Sequence, residues 1–290
     1  MNGTDQTTIN TSSSTSASTS ASLRASAGAP GPHGGVLDDT AKVLPFVRVV
    51  HVELRKLVDT VAGRWVVGAI LLLAALAMAA MWFLAEADSL GFGVFVGAAA
   101  FPVMLLLPIL GILAATTEWT KRTGLVTFTL EPRRLRVAAA KLLAAILLGV
   151  LTLLAAVAIA ALLTLVAGVL KDGAGVWDTD WRSLWGNGLA GVLGVAQGVG
   201  FGMLLGSTPL AMVAYFVLPQ VFTLLYLWEK AAGIMPWIDL NRASAMLGSG
   251  TDGGVPMTNS DWAHVASAYG LWVVLPIVLG TWMLLRREVK

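Results

Sequence analysis

The side chains whose types and spacing could do chemistry are concentrated in one stretch, Glu118 to Lys141, which reads EWTKRTGLVTFTLEPRRLRVAAAK. Lys121, Arg122, Arg133, Arg134, Arg136 and Lys141 stand there against only Glu118 and Glu131, between two long apolar runs. Lys/Arg enrichment beside membrane spans marks the cytoplasmic side. The chemistry of such a loop is docking: it is built to touch something in the cytoplasm.

Other chemistries find little support. There is no cysteine, which removes disulfides and thiolate chemistry, and His33, His51 and His264 are scattered rather than clustered as metal ligands. No G-x-x-x-x-G-K-[ST] phosphate loop occurs, so the chain is not expected to bind ATP itself. Ser207 and Thr208 fall near the cytoplasmic end of one span while His264 opens another on the opposite side, so a Ser/His pair would be separated by most of the bilayer. Polar residues inside the apolar runs are few: Thr152, Thr164, Gln197, Tyr215, Gln220, Thr223 and Tyr226. With no ionisable residue at a span centre, proton- or sodium-driven transport is disfavoured. Gln197, Gln220 and Tyr215 remain candidates for a substrate path, with helix-to-helix hydrogen bonding as the alternative role for the glutamines.

The elements that must position these residues follow from composition. Hydrophobic residues make up 57% of the 290 and charged ones 12%, with a mean hydropathy of +0.78, against about a quarter charged in soluble domains. The fold class expected is an all-α integral membrane protein. A hydrocarbon core of about 30 Å needs about 20 helical residues, and six runs qualify, at about 65–85, 92–116, 138–170, 187–207, 210–228 and 263–285. The third is longer than required and is expected to tilt or project. Between the fourth and fifth, Gly206-Ser207-Thr208-Pro209 reads as a tight turn or a broken helix.

Ahead of the spans, residues 1–41 form a Ser/Thr-rich tail ending in a Gly/Pro-rich segment, too polar to offset its ordering entropy and without the basic start and apolar core of a secretory signal. From Lys42 to Arg64, Val43, Val47, Val50, Leu54, Leu57 and Val61 share one helical face and Arg48, His51, Arg55, Lys56 and Asp59 the other. That is the pattern of an amphipathic surface helix, meeting either headgroups or a soluble partner. With both termini inside, cytoplasmic pieces carry 15 Lys/Arg against 8 Asp/Glu and external loops 4 against 9. This bias supports an inside N-terminus and an even number of spans, in a multi-pass plasma-membrane protein. Outside, DTDWRSLW (178–185) carries tryptophans suited to an interfacial belt, and 229–261 reads as a short interfacial or re-entrant helix or as an ordered loop.

Two patterns concern movement and packing. Glu118 to about Thr129 can continue as helix from the second span until Pro132 breaks it, giving a rigid element in a 117–137 loop that could convert motion of a docked protein into tilt of two spans. Gly194, Gly198, Gly202 and Gly206 recur every four residues in the fourth span, a ridge that admits close approach of another helix, in this chain or in a second copy.

These residues together resemble a type-2 ATP-binding-cassette exporter permease of high-GC Gram-positive bacteria. The resemblance covers about residues 42–290. It rests on the Glu53-Leu54-Arg55-Lys56 surface helix, the six spans, and Thr117-Glu118-Trp119, Arg122-Thr123-Gly124, Thr127-Phe128-Thr129-Leu130, Pro132-Arg133-Arg134 and Lys141. It implies a separate cytoplasmic ATPase subunit that binds ATP and magnesium and receives the loop as a coupling helix. Glu118, Trp119, Arg122 and Thr123 would then be contact residues, with Arg55 and Lys56 contributing. It also implies no cofactor in this chain, pairing with a second permease copy or a homologous permease, and export of a drug, antibiotic, lipid or other amphiphile. A non-transporting membrane scaffold or sensor-associated subunit is the competing expectation.

Overall fold

The computed structural model describes residues 45–120, 133–171, 174–231, 233–249 and 256–286, the side chains of Trp119 and Thr120 excepted. The tail, the start of the surface helix through Leu44, most of the basic loop with Arg122, Thr123 and Pro132, and the Gly-rich turn after Ser249 lie outside the described residues.

The described residues are helical, with no strand beyond an isolated Gly91–Val176 bridge. Helix α1 (Phe46–Asp59) is the surface helix. Six helices are long and apolar enough to cross a membrane: α2 (Val61–Leu84), α3 (Phe92–Thr120), α4 (Arg134–Leu170), α5 (Trp181–Leu205), α6 (Thr208–Thr223, prolonged by a 3-10 turn to Leu227) and α9 (Asn259–Arg286). Two short helices, α7 (Met235–Ile238) and α8 (Leu240–Ser249), lie between the fifth and sixth of these.

The surface helix is shorter than 42–64 because Thr60 adopts an extended backbone and becomes the N-cap of α2. Its hydroxyl donates to the Leu57 carbonyl (3.0 Å) and accepts from the Gly63 amide (3.1 Å), satisfying groups on both helices at the corner. The inward face of α1 is also rotated from the apolar stripe expected. Val50, Glu53 and Leu57 are buried, while Val47 and Val61 are 77% and 62% exposed.

Helix α5 is the hub of the bundle, buried for more of its length than any other span and packed against α3, α4, α6, α8 and α9. Its small residues make this possible on two sides. A Cβ at Gly198 would fall on the Pro108 carbonyl, one at Gly111 of α3 on the Val195 carbonyl, and one at Gly202 2.6 Å from Ala115 Cβ. On the other side a Cβ at Gly280 of α9 would meet the Gly200 carbonyl at 2.9 Å. Gly194 joins the first ridge, facing Pro108 and Tyr215. Gly206 does something else: with φ +64° it ends α5 in the left-handed conformation, and Ser207 is extended, so the α5–α6 connection is a tight turn.

The segment after α6 folds back into the bundle. The Ile238 carbonyl accepts from Trp272 Nε1 (2.7 Å), well inside α9, and α8 returns along α5 until Leu247 reaches Gly186. Asp239, 6% exposed, starts α8 by accepting from the Asn241 and Arg242 amides (2.8 and 3.1 Å). Where this hairpin abuts α9, the helix widens into a π turn at Gly270–Val274 just before Pro276, a common accommodation to a residue that cannot donate.

Candidate functional site: a buried ring of charge

Helix α4 runs for 37 residues, about 55 Å at about 1.5 Å per residue. The bilayer core needs only about 30 Å. The surplus serves α1: Val137, Ala138, Ala140 and Lys141 at the start of α4 are buried where Val50, Glu53 and Leu57 of α1 pack. The same end of the bundle receives the last turns of α3, where Glu118 is 7% exposed.

Four charged side chains from these three helices close a ring. Lys56 Nζ donates to Glu53 Oε1 (2.7 Å) and Glu118 Oε1 (2.9 Å). Lys141 Nζ donates to Glu53 Oε2 (2.8 Å) and lies 3.0 Å from Glu118 Oε1. Two carboxylates thus alternate with two ammonium groups, each contact at charge-assisted hydrogen-bond distance. Glu53, Glu118 and Lys141 are buried and Lys56 is the half-exposed corner. Burial draws the Lys56 pKa down, but its hydrogen bonds and attraction to Glu53 and then Glu118 outweigh this and leave it above its usual value.

Neighbouring contacts extend the junction. Arg134 Nη1 donates to the Leu284 carbonyl (3.0 Å), satisfying an end carbonyl of α9. Thr116 and Thr208 share a 2.8 Å hydroxyl bond that joins the end of α3 to the start of α6. At the opposite end of the bundle, Lys171 Nζ donates to the Trp82 carbonyl (2.6 Å) and sits 5.3 Å over the Trp82 ring.

The residues expected to contact a partner therefore divide. Glu118 and Lys56 meet each other inside the ring. Arg55 is exposed and, among the described residues, paired i to i+4 with Asp59 at 3.1 Å, a surface contact of small energetic weight. Arg122 and Thr123, and the side chain of Trp119, lie outside what is described. In the sequence Glu53 and Lys141 stand out only as members of motifs. The available signals were an acid between Val50 and Leu57 on one face of α1, and a lone lysine embedded in the Ala-rich start of α4.

The three candidates for a substrate path stand in different surroundings. Tyr215 borders a space of about 260 Å³ with Pro108, Gly194 and Ser244, in whose lining neither glutamine takes part. Gln197 is 1% exposed, with Nε2 unpartnered among the described residues. Gln220 is exposed and accepts from Asn241 Nδ2 at 3.3 Å. Among the described residues no three His, Asp or Glu side chains converge as metal ligands.

Within the ring the carboxylates and ammonium groups bond one another. What it can do is hold α1, α3 and α4 in one relative position, because separating them would strand charge in a poorly hydrated site. Compared with known proteins, the chain matches no family model and no curated sequence.

Proposed function

We propose that this chain is the membrane-spanning subunit of an ATP-driven exporter, paired with a second permease and powered by a separate cytoplasmic ATPase that binds ATP and magnesium. The observation that carries the reading is the ring. It ties the surface helix to the two spans that flank the basic 121–132 segment, through Glu118 at the end of α3 and Lys141 near the start of α4. A partner pressing on that segment would move α1, α3 and α4 together rather than bend a single loop. Six membrane-length helices and the lack of a phosphate loop in the sequence are consistent with energy entering from another polypeptide.

On this reading the ring sits on the cytoplasmic side, both termini face the cytoplasm of a bacterial cell, and the cargo is a drug, antibiotic, lipid or other amphiphile. The burial of Glu118 refines its role: it positions the loop, and Arg122, Thr123, Trp119 and exposed Arg55 offer the contact surface. The test is co-purification of the full-length chain with the ATPase encoded beside it, and stimulation of ATP hydrolysis after reconstitution. Arg122→Glu together with Arg55→Glu should abolish both while leaving the thermal unfolding of the chain unchanged. A complex and stimulation that survive both reversals would overturn the docking assignment. A well-folded chain that neither binds nor stimulates any neighbouring ATPase would favour a non-transporting scaffold.

A further inference from the structure

At the end of the bundle away from the charged ring, α3, α4 and α5 diverge around a groove of about 770 Å³, within the about 300–1,000 Å³ of small-molecule sites. Its walls are apolar, with Val96, Val103, Leu153, Val157 and Val192 among them, and glycines 97 and 188 leave room where larger residues would fill it. Along α3 it runs from Gly93 to Met104, about 16 Å at about 1.5 Å per residue. That is about half of a 30 Å hydrocarbon core, the depth of one leaflet.

Polar side chains are confined to the end near the helix termini: Thr179, Asp180, Ser183 and Asn187. Thr179 Oγ1 is buried and without a hydrogen-bond partner among the described residues. Asp180 caps α5, accepting from the Arg182 amide (3.0 Å) and Ser183 Oγ (2.7 Å). The bond from Ser183, then those from the backbone, hold its carboxyl below the usual carboxylate range, so it is charged at neutral pH. Among the described residues no Lys or Arg lines the groove.

We infer that this groove seats one membrane phospholipid with an ammonium-bearing headgroup, its acyl chain lying between α3, α4 and α5 and its headgroup at Thr179, Asp180 and Ser183. An amphiphile matches a groove that is polar at one end and apolar along the rest. A transmembrane helix of a second copy does not, because it would cross both leaflets and this space stops at mid-depth. Asp180, the one charged side chain in the described lining, attracts an ammonium and repels a headgroup of net negative charge, with Arg182 beside it offsetting part of that field, while the Thr179 hydroxyl and the Asn187 amide suit the phosphate and ester oxygens. The inference is independent of the transport reading.

The test uses the full-length chain equilibrated in nanodiscs of equal phosphatidylethanolamine and phosphatidylglycerol, then released in mild detergent for native mass spectrometry. The wild-type chain should keep one phosphatidylethanolamine per copy, enriched at least fivefold over phosphatidylglycerol. A Cβ at Gly97 or Gly188 meets nothing within 4 Å, so Gly97→Leu and Gly188→Leu can fill the groove without displacing backbone. They should lower retention at least tenfold. Gly68→Leu, equally free of neighbours on the exposed side of α2, should not. Asp180→Asn preserves a capping side chain and should bring the two lipids to near-equal retention, a readout that stands even if a filled groove impairs folding. Unchanged retention in well-folded filled variants, preferential retention of phosphatidylglycerol, or loss of a dimer mass in place of the lipid mass would each overturn the assignment, the last by giving the groove to a second copy.

Discussion

Lys141 of α4 and Glu53 of α1 stand 2.8 Å apart although 88 residues separate them, and both side chains are nearly inaccessible, at 5% and 6%. A buried pair of this kind adds little net stability relative to a well-packed apolar pair, since desolvation offsets much of the attraction, but removing one member strands the other. Its consequence is geometric: α1 cannot slide along α4 by a turn without leaving a carboxylate unpaired. A surface helix that would otherwise float on the membrane is thereby fixed in register to the spans.

Lys141→Met should therefore be severely destabilising. It leaves Glu53 Oε2 unpaired and Glu118 Oε1 with one ammonium fewer, and loss of one buried partner costs about 3–5 kcal/mol. Thermal unfolding in detergent checks this. Adding Glu53→Gln to Lys141→Met should recover part of the loss, since it removes the stranded charge, and coupling in the double-mutant cycle is expected at about 0.5–3 kcal/mol. Strict additivity would mean that the two residues do not act as a unit.

The half-exposed corner of the ring predicts a pH signature. Lys56 has its pKa raised above 10.5 in the folded chain by Glu53 and Glu118. A group whose folded pKa exceeds its unfolded value contributes stability fully below the unfolded pKa and loses it as pH rises through the folded one. Unfolding temperatures should thus show no Lys56 contribution to change between pH 6 and about pH 9, and the wild type should lose its advantage over Lys56→Met only above pH 10.5. A difference between the two proteins that already vanishes near neutral pH would contradict the pairing.

The spans were legible because hydropathy over about 20 residues is a strong signal, and the ridge of Gly194, Gly198 and Gly202 because its four-residue repeat maps to one helix face. Its receiving surface was not legible. Gly111 and Gly280 belong to no four-residue repeat, and nothing local marks them as the places where α5 approaches. The shift of the buried face of α1 toward Glu53 came from pairing with Lys141, a tertiary choice invisible to periodicity, which counts an acid as outward. The hairpin at 235–249 is not legible in the sequence because its short apolar pieces match a surface helix equally well, and the Trp272–Ile238 bond fixes how far it enters.

The corner between α1 and α2 depends on Thr60. Its hydroxyl bonds groups of both helices, so Thr60→Ala removes an N-cap worth about 0.5–2 kcal/mol, whereas Thr60→Ser should retain most of it. A Cβ at Gly63 would collide with the Leu57 carbonyl, so Gly63→Ala should open the corner despite the better helix propensity of alanine. Protease accessibility of α1 distinguishes the two outcomes: an opened corner exposes cleavage sites around Arg55 and Lys56, and protection equal to wild type in Gly63→Ala would mean that the corner does not set the position of α1.

Gly198→Ala tests the crossing at the centre of the bundle. The added methyl would be directed at the Pro108 carbonyl, and Ile112 stands within 3.3 Å of the same point. Backbone cannot rotate away as a flexible side chain can, so α3 and α5 must move apart and lose the contacts that Gly194 and Gly202 make above and below. Overpacking of this kind costs about 1–3 kcal/mol, opposed by about 0.5–1 kcal/mol of helix propensity gained on replacing glycine by alanine. The net expectation is a lower unfolding temperature. Gly68→Ala, with nothing within 4 Å of its new Cβ, isolates the propensity effect and should be neutral or slightly stabilising. If the two substitutions shift the melting curve alike, the close approach of α3 and α5 does not hold the bundle together.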